Sequence, residues 1–156
     1  MTDSKHPPGE LKVSAIRNGT VIDHIPSAAT FKVAQMLQVQ NEKHMVTVGT
    51  NLPSSRLGRK GIIKIENRAL TPDEVDKIAL LAPEATINII SDYRVVDKFR
   101  VKLPQSIERV VRCFNPRCIT NQQQVGTRFT VIETSPPALR CTYCERVVRG
   151  DEIIMK

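Results

Sequence analysis

The sequence has no tryptophan, two tyrosines and four phenylalanines among 156 residues. It has no apolar run near the roughly 20 residues that cross a bilayer, and its first residues, MTDSKHPPGE, do not resemble a signal peptide. A cytosolic location is therefore expected. The phosphate loop GxxxxGK[ST], the dinucleotide loop GxGxxG, the hydrolase elbow GxSxG and the metalloprotease HExxH are all missing. His6, His24 and His44 include no pair at H-x-x-x-H spacing. These gaps exclude the familiar catalytic signatures and turn the expectation toward binding. At 40% hydrophobic and 25% charged, it has an ordinary globular composition. Its length suits one ordinary domain or two small ones.

The four cysteines form two knuckles, CFNPRC (Cys113 and Cys118) and CTYC (Cys141 and Cys144), separated by 22 residues. A reducing cytosol disfavours disulfides and leaves thiolates for metal. Two pairs at short spacing resemble a tetrahedral Zn²⁺ site, one structural ion per chain. Four thiolates fill every coordination position, so a closed site is expected and not a catalytic one. Two disulfides or buried free thiols are the alternatives. A domain of about 50 residues is too small to rely on its apolar core alone, and metal would supply much of its folding free energy. Within it, TRFTVIET alternates as a strand and RVVRGDEIIM reads as a closing strand. The expectation is a small antiparallel zinc-ribbon-like domain over 105–156, entered through VKLPQS.

Upstream, a polar tail (1–9) precedes a region expected to fold over 10–104. ELKVSAI alternates as a strand, and the turn NGT leads into VIDHIP. In SAATFKVAQMLQV, Phe31, Ala34 and Leu37 fall at near-helical spacing. MVTVGTNL and GIIKIEN read as strands joined by the loop NLPSSRLGRKG. TPDEVDKIALLAP is the clearest helix: Thr71 can cap it, Pro72 fits its first turn, and Glu74 completes a capping box. Val75, Ile78, Ala79 and Ala82 share its apolar face, and ATINIIS follows as a strand. The order strand, helix, strand, strand, helix, strand matches the α+β ferredoxin-like fold. Both helices would then cover one face of the sheet. Alternation sends Ile63 and Ile65 to one face and Lys64 to the other; Asn88 and Ile90 lie opposite Ile87 and Ile89. On spacing alone, Lys64 and Asn88 read as solvated sheet positions. Asp23 and His24, adjacent on an extended strand, would point to opposite faces, a poor geometry for a catalytic pair.

Net charge is +7, and the positive excess is spread on both sides of Pro104 instead of forming the stripe typical of nucleic-acid binders. An RNA-binding zinc-ribbon protein is the alternative reading, with Phe114, Phe129 and Tyr143 as stacking candidates. The strands GIIKIEN and MVTVGTNL carry no aromatic residue, which weighs against it. A zinc enzyme is a further class; it would turn over a substrate alone and lose activity on chelation.

NGTVIDHIP, VTVGTNLPSSRLGRKGIIKIEN, LAPEATINIISDYRVVDK and the two cysteine knuckles, in that order, resemble the regulatory chains of aspartate carbamoyltransferase. The resemblance covers nearly the whole chain. It implies a non-catalytic allosteric subunit in pyrimidine biosynthesis, with no nucleic-acid or membrane partner. The first domain would bind nucleoside triphosphates, CTP or CTP with UTP for inhibition and ATP for activation. The second would hold zinc through Cys113, Cys118, Cys141 and Cys144 and dock on the catalytic chain. Two catalytic trimers would be bridged by three regulatory homodimers. Carried onto this sequence, Val13, Ala15, Ile16, Tyr93 and Val95 would meet the base, and Asp23 and Lys64 the ribose. His24 and Lys98 would meet the phosphates, with Lys60 as a second phosphate contact, and Asn88 and Ile90 would complete the wall. Ser14 stands where family members can carry an acidic residue, which leaves base preference open.

Overall fold

The computed structural model describes residues 15–156. By contact the chain divides into two compact units: one runs to Leu70 and resumes at Glu84–Arg100, and the other joins Thr71–Pro83 to Val101–Lys156. No helix among the described residues is long and apolar enough to cross a membrane.

The first unit is a five-stranded antiparallel sheet. Its strands are β1 (Gly19–Pro26), β2 (Val46–Ser54), β3 (Gly58–Glu66), β4 (Thr86–Ser91) and β5 (Arg94–Arg100), in the spatial order β2-β3-β1-β4-β5. Helix α1 (Thr30–Met36) packs on β2 and β3. Thr30, Val33, Ala34 and Leu37 form its buried stripe, the i, i+3, i+4, i+7 set that faces a core. Phe31, placed on that stripe by its spacing, is instead 66% exposed. Ile22, Ile25, Ile63, Ile65 and Ile87 are at most 1% exposed. Each contributes roughly 1.5–3 kcal/mol on burial.

Several boundaries differ from the sequence reading. Of ELKVSAI, residues 10–14 lie outside the described residues, and Ala15 and Ile16 are not in a strand. The NGT turn ends at Asn18, because Gly19 already opens β1. Its φ of +141° suits glycine, and a Cβ there would meet the Ile65 carbonyl oxygen at 2.2 Å. NLPSSRLGRKG is mostly strand, with Ser54 paired to Gly58 across a tight turn. RVVDKFR, given no assignment from sequence, is the edge strand β5. It is joined to β4 by a two-residue turn whose Asp92 and Tyr93 both have positive φ (51° and 66°), the geometry of a type I′ hairpin.

In the second unit α2 (Pro72–Leu81) begins as its sequence indicates. Thr71 Oγ1 accepts from Glu74 N (3.2 Å) and Glu74 Oε1 from Thr71 N (2.9 Å). Ile78, Ala79, Leu80 and Ala82 are buried. Further on come β6 (Ser106–Glu108), β7 (Val111–Arg112), the single turn α3 (Ile119–Gln122), β8 (Arg128–Thr134), β9 (Pro137–Cys141), β10 (Val147–Arg149) and β11 (Ile154–Met155). They form a four-stranded antiparallel sheet, β10-β9-β8-β6, and a pair, β11-β7. The expected closing strand RVVRGDEIIM is therefore two. Gly150, at φ +50°, starts a short turn that sends β10 to β9 and β11 to β7. The chain is thus an α+β protein with a ferredoxin-like strand order extended by one strand, followed by a small β domain.

Candidate functional site

The four cysteines meet in the second unit. Cys113 and Cys118 come from the turn between β7 and α3, Cys141 ends β9, and Cys144 follows it. Their Sγ atoms all lie within 4.8 Å of one another; Cys113 to Cys144 is 3.6 Å and Cys118 to Cys141 is 3.7 Å. None is in a disulfide. Metal–thiolate bonds of about 2.3 Å at tetrahedral angles give sulfur–sulfur edges of about 3.8 Å, so the donor set fits a four-coordinate metal. Cys113, Cys118 and Cys141 are buried and Cys144 is half-buried. Burial pushes the Cys113 thiol up to about 12 and raises Cys141 as well. Burial also acts to raise Cys144, but donors from Arg146 N–H, Asn115 and the neighbouring cysteines prevail and bring it to about 7. Buried thiols this close resist joint ionisation unless a cation balances them.

Local turns hold the sulfurs in place. Asn121 Nδ2 donates to the Cys113 and Asn115 carbonyls (2.7 and 2.8 Å), and Thr120 Oγ1 donates to Cys118 Sγ (3.2 Å). In the second knuckle Glu145 N–H bonds the Cys141 carbonyl at 2.8 Å. The Arg146 guanidinium sits 5.7 Å from the Phe114 ring centroid, tying one knuckle to the other. Thr120 and Asn121 went unnoticed in the sequence, although a hydroxyl two residues after a cysteine is a signal of this kind. Of the stacking candidates, Phe129 is 0% exposed and cannot meet a base. Phe114 and Tyr143 are exposed.

The second candidate lies on the sheet. Thr47, Lys64, Val21, Asn88 and Lys98 stand in register across all five strands, so their side chains share the face opposite the buried isoleucines. Asp23, Thr86 and Arg100 form the next row on three strands, and Gly19, Ile90 and Val95 the row on the other side. Asn88, expected to be solvated, is 9% exposed. A bulge changes the expected geometry of Asp23 and His24. The register of β1 slips after Ile22, His24 takes φ +58°, and both residues stay half-buried before Ile25 returns to the core. His24 Nδ1 reaches Thr86 Oγ1 at 2.8 Å, and Thr86 is the cross-strand partner of Asp23. The two residues thus serve the same face.

Charge converges there. Asp23 Oδ1 pairs with Lys60 Nζ at 2.9 Å. Burial lowers His24 below its ordinary value; Asp23 opposes this, and Arg56, Lys60 and Lys98 reinforce it. Burial also lowers Lys64, with Asp23 again opposing. Near the hairpin turn, Tyr93 N–H donates to Arg17 O at 2.9 Å, which brings the segment from Ala15 beside it. Ala15, Tyr93, Val95 and Lys98 are exposed and Ile16 is buried. Val13 lies outside the described residues. His44 pairs with Glu42 at 3.1 Å in the same unit.

Two family models match in sequence order: "Aspartate carbamoyltransferase regulatory chain, allosteric domain" over residues 11–102, and "Aspartate carbamoyltransferase regulatory chain, metal binding domain" over 105–154. The chain belongs to the aspartate carbamoyltransferase regulatory chain family. Regulatory chains from three organisms show how near the similarity is. That of Pyrococcus abyssi is 52% identical over 147 residues, covering 93% of this chain and 97% of its own. That of Methanothermobacter thermautotrophicus is 51% identical over 147 residues, covering 94% of each. That of Porphyromonas gingivalis is 50% identical over 144 residues, covering 92% and 95%. As a member of the family, the chain is an allosteric, non-catalytic regulatory chain with a metal-binding domain. The four clustered cysteines fall within the residues matched as metal binding.

Proposed function

We propose that residues 10–104 bind nucleoside triphosphates on the open face of the sheet, and that residues 105–156 hold one structural Zn²⁺ and dock on the catalytic chain. The observation that carries the first half is the row Lys64, Val21, Asn88, Lys98 with Asp23 and His24 beside it. Asp23 accepts from ribose hydroxyls, and Lys64 sits next to it. His24, Lys98 and Lys60 neutralise the phosphates as compact charges without the geometric demand of a fork. Ile16, Ile90, Tyr93 and Val95, with Val13 and Ala15, border the base. The tetrahedral sulfur spacing supports zinc as the metal. When bound, zinc closes the knuckles and fixes the docking surface; Cys113, Cys118, Cys141 and Cys144 hold it.

CTP, with or without UTP, inhibits in this reading and ATP activates. Each shifts the assembly only as far as it prefers one global state over the other. The exposed edge strand β5, with Val95, Val96 and Phe99, suits a regulatory homodimer that bridges catalytic trimers in the cytoplasm. The test is to mix the zinc-loaded chain with the catalytic chain of the same organism, isolate the complex, and measure activity with and without CTP and ATP. A complex whose substrate response shifts with nucleotide is the expected result. Failure to associate, or a complex indifferent to both nucleotides, would remove the reading.

A further inference from the structure

Along β4 the open face changes character in steps of two residues, about 6.6 Å each. Ile90 is apolar, Asn88 is polar and Thr86 bonds His24; Glu84 lies just before the strand, in the turn that leads into it. At Glu84 the sheet ends in a cluster outside the effector residues named above. Arg56, in the turn between β2 and β3, donates from Nη2 to the Glu84 carbonyl oxygen at 2.7 Å and lies 4.0 Å from its Oε1. Arg100, in register with Thr86, donates from Nη2 to Glu84 Oε2 at 2.7 Å. Arg100 thus holds the carboxylate, Arg56 holds the backbone carbonyl and stands at the edge of ion-pair distance from the carboxylate, and the cluster keeps a net positive charge. All three side chains are at least a third exposed, so these ion pairs contribute little to stability and are readily exchanged. The Arg56 charge is also felt at His24.

We infer that Arg56 reads the length of the phosphate chain: it leaves Glu84 for the terminal phosphate of a nucleoside triphosphate, and Glu84 is the built-in competitor for that cation. The inference rests on the open face being the nucleotide site. A guanidinium fork matches a phosphate better than the one backbone carbonyl it now bonds and the carboxylate oxygen 4.0 Å away. A monophosphate, whose charge ends near His24 and Lys98, would not reach the cluster. Exchange of one anion for another costs little where both are exposed, so the discrimination falls on phosphate number and not on the base.

Calorimetric titration of the zinc-loaded full chain with CTP and with CMP tests this. Arg56→Ala should weaken CTP about tenfold and leave CMP within about twofold. Glu84→Gln should tighten CTP by about two- to fivefold, again without effect on CMP. Arg56→Lys should recover part of the loss. An Arg56→Ala chain that binds CTP as well as the parent, or loses CTP and CMP equally, would overturn the inference, as would weaker CTP binding by Glu84→Gln. A parent chain that binds neither nucleotide would overturn the effector site itself, a separate result.

Discussion

The sheet unit and the cysteine domain solve the same folding problem with different means. In the sheet unit the strands run up to nine residues, and isoleucines from β1, β3 and β4 seal one face beneath α1. Its stability is distributed, and that frees the other face to carry Asp23, His24, Lys64 and Lys98. In the cysteine domain four of the six strands have only two or three residues. Its core around Val111, Phe129, Leu139 and Val148 is completed by four sulfurs that cannot all ionise without a cation. On the proposed reading, one unit holds a ligand that comes and goes and the other one that stays.

Removing the metal should separate the two most sharply. Chelation or Cys141→Ser should unfold the residues of 105–154, a loss on the order of 10 kcal/mol in that domain. Amide NMR signals from 19–66 and 86–100 should survive. Collapse of both sets together would erase the contrast. A smaller effect should come from the opposite side. Ile63→Ala empties a fully buried site in the sheet and should cost about 2–5 kcal/mol by denaturant unfolding, with zinc content unchanged.

The smallest effect is electrostatic. Folding holds His24 below its ordinary pKa of 6.5, so between its lowered value and 6.5 the unfolded chain carries more protons. Stability should therefore fall as pH drops through 6.5. A bound polyphosphate favours the imidazolium, so CTP affinity relative to a His24→Gln chain should rise over the same range. Melting curves and titrations on both chains check the two signs; a His24→Gln chain that tracks the parent in both would contradict them.

What the sequence made legible follows from how local each feature is. The cysteine knuckles and the Thr71–Glu74 capping box are set by residues a few positions apart, and both stand where their spacing puts them. The alternation of GIIKIEN survived because that strand is buried on one face only, whereas in ATINIIS Thr86, Ile87 and Asn88 are buried in succession. The exposed position of Phe31 was not legible, since Val33 offers an equally helical stripe and only the sheet beneath decides between them. The β1 bulge depends on how β3 pairs with β1, so Asp23 and His24 read as divergent when they converge. Strand β5 is exposed along its whole length and lacks the alternation that marks a half-buried strand. The pairing of Lys64 with Asn88 through Val21 is a fact of register, invisible until the strands are laid side by side.

The division of labour is tested most directly by a single substitution on the open face. In a complex reconstituted from the catalytic chain and a zinc-loaded Lys64→Ala chain, association and activity without nucleotide should match the parent complex. The response to CTP and ATP should be lost or shifted to about tenfold higher nucleotide concentration. A response identical to the parent's would place the effector elsewhere, and loss of association would mean that the sheet face and the docking domain are not separable.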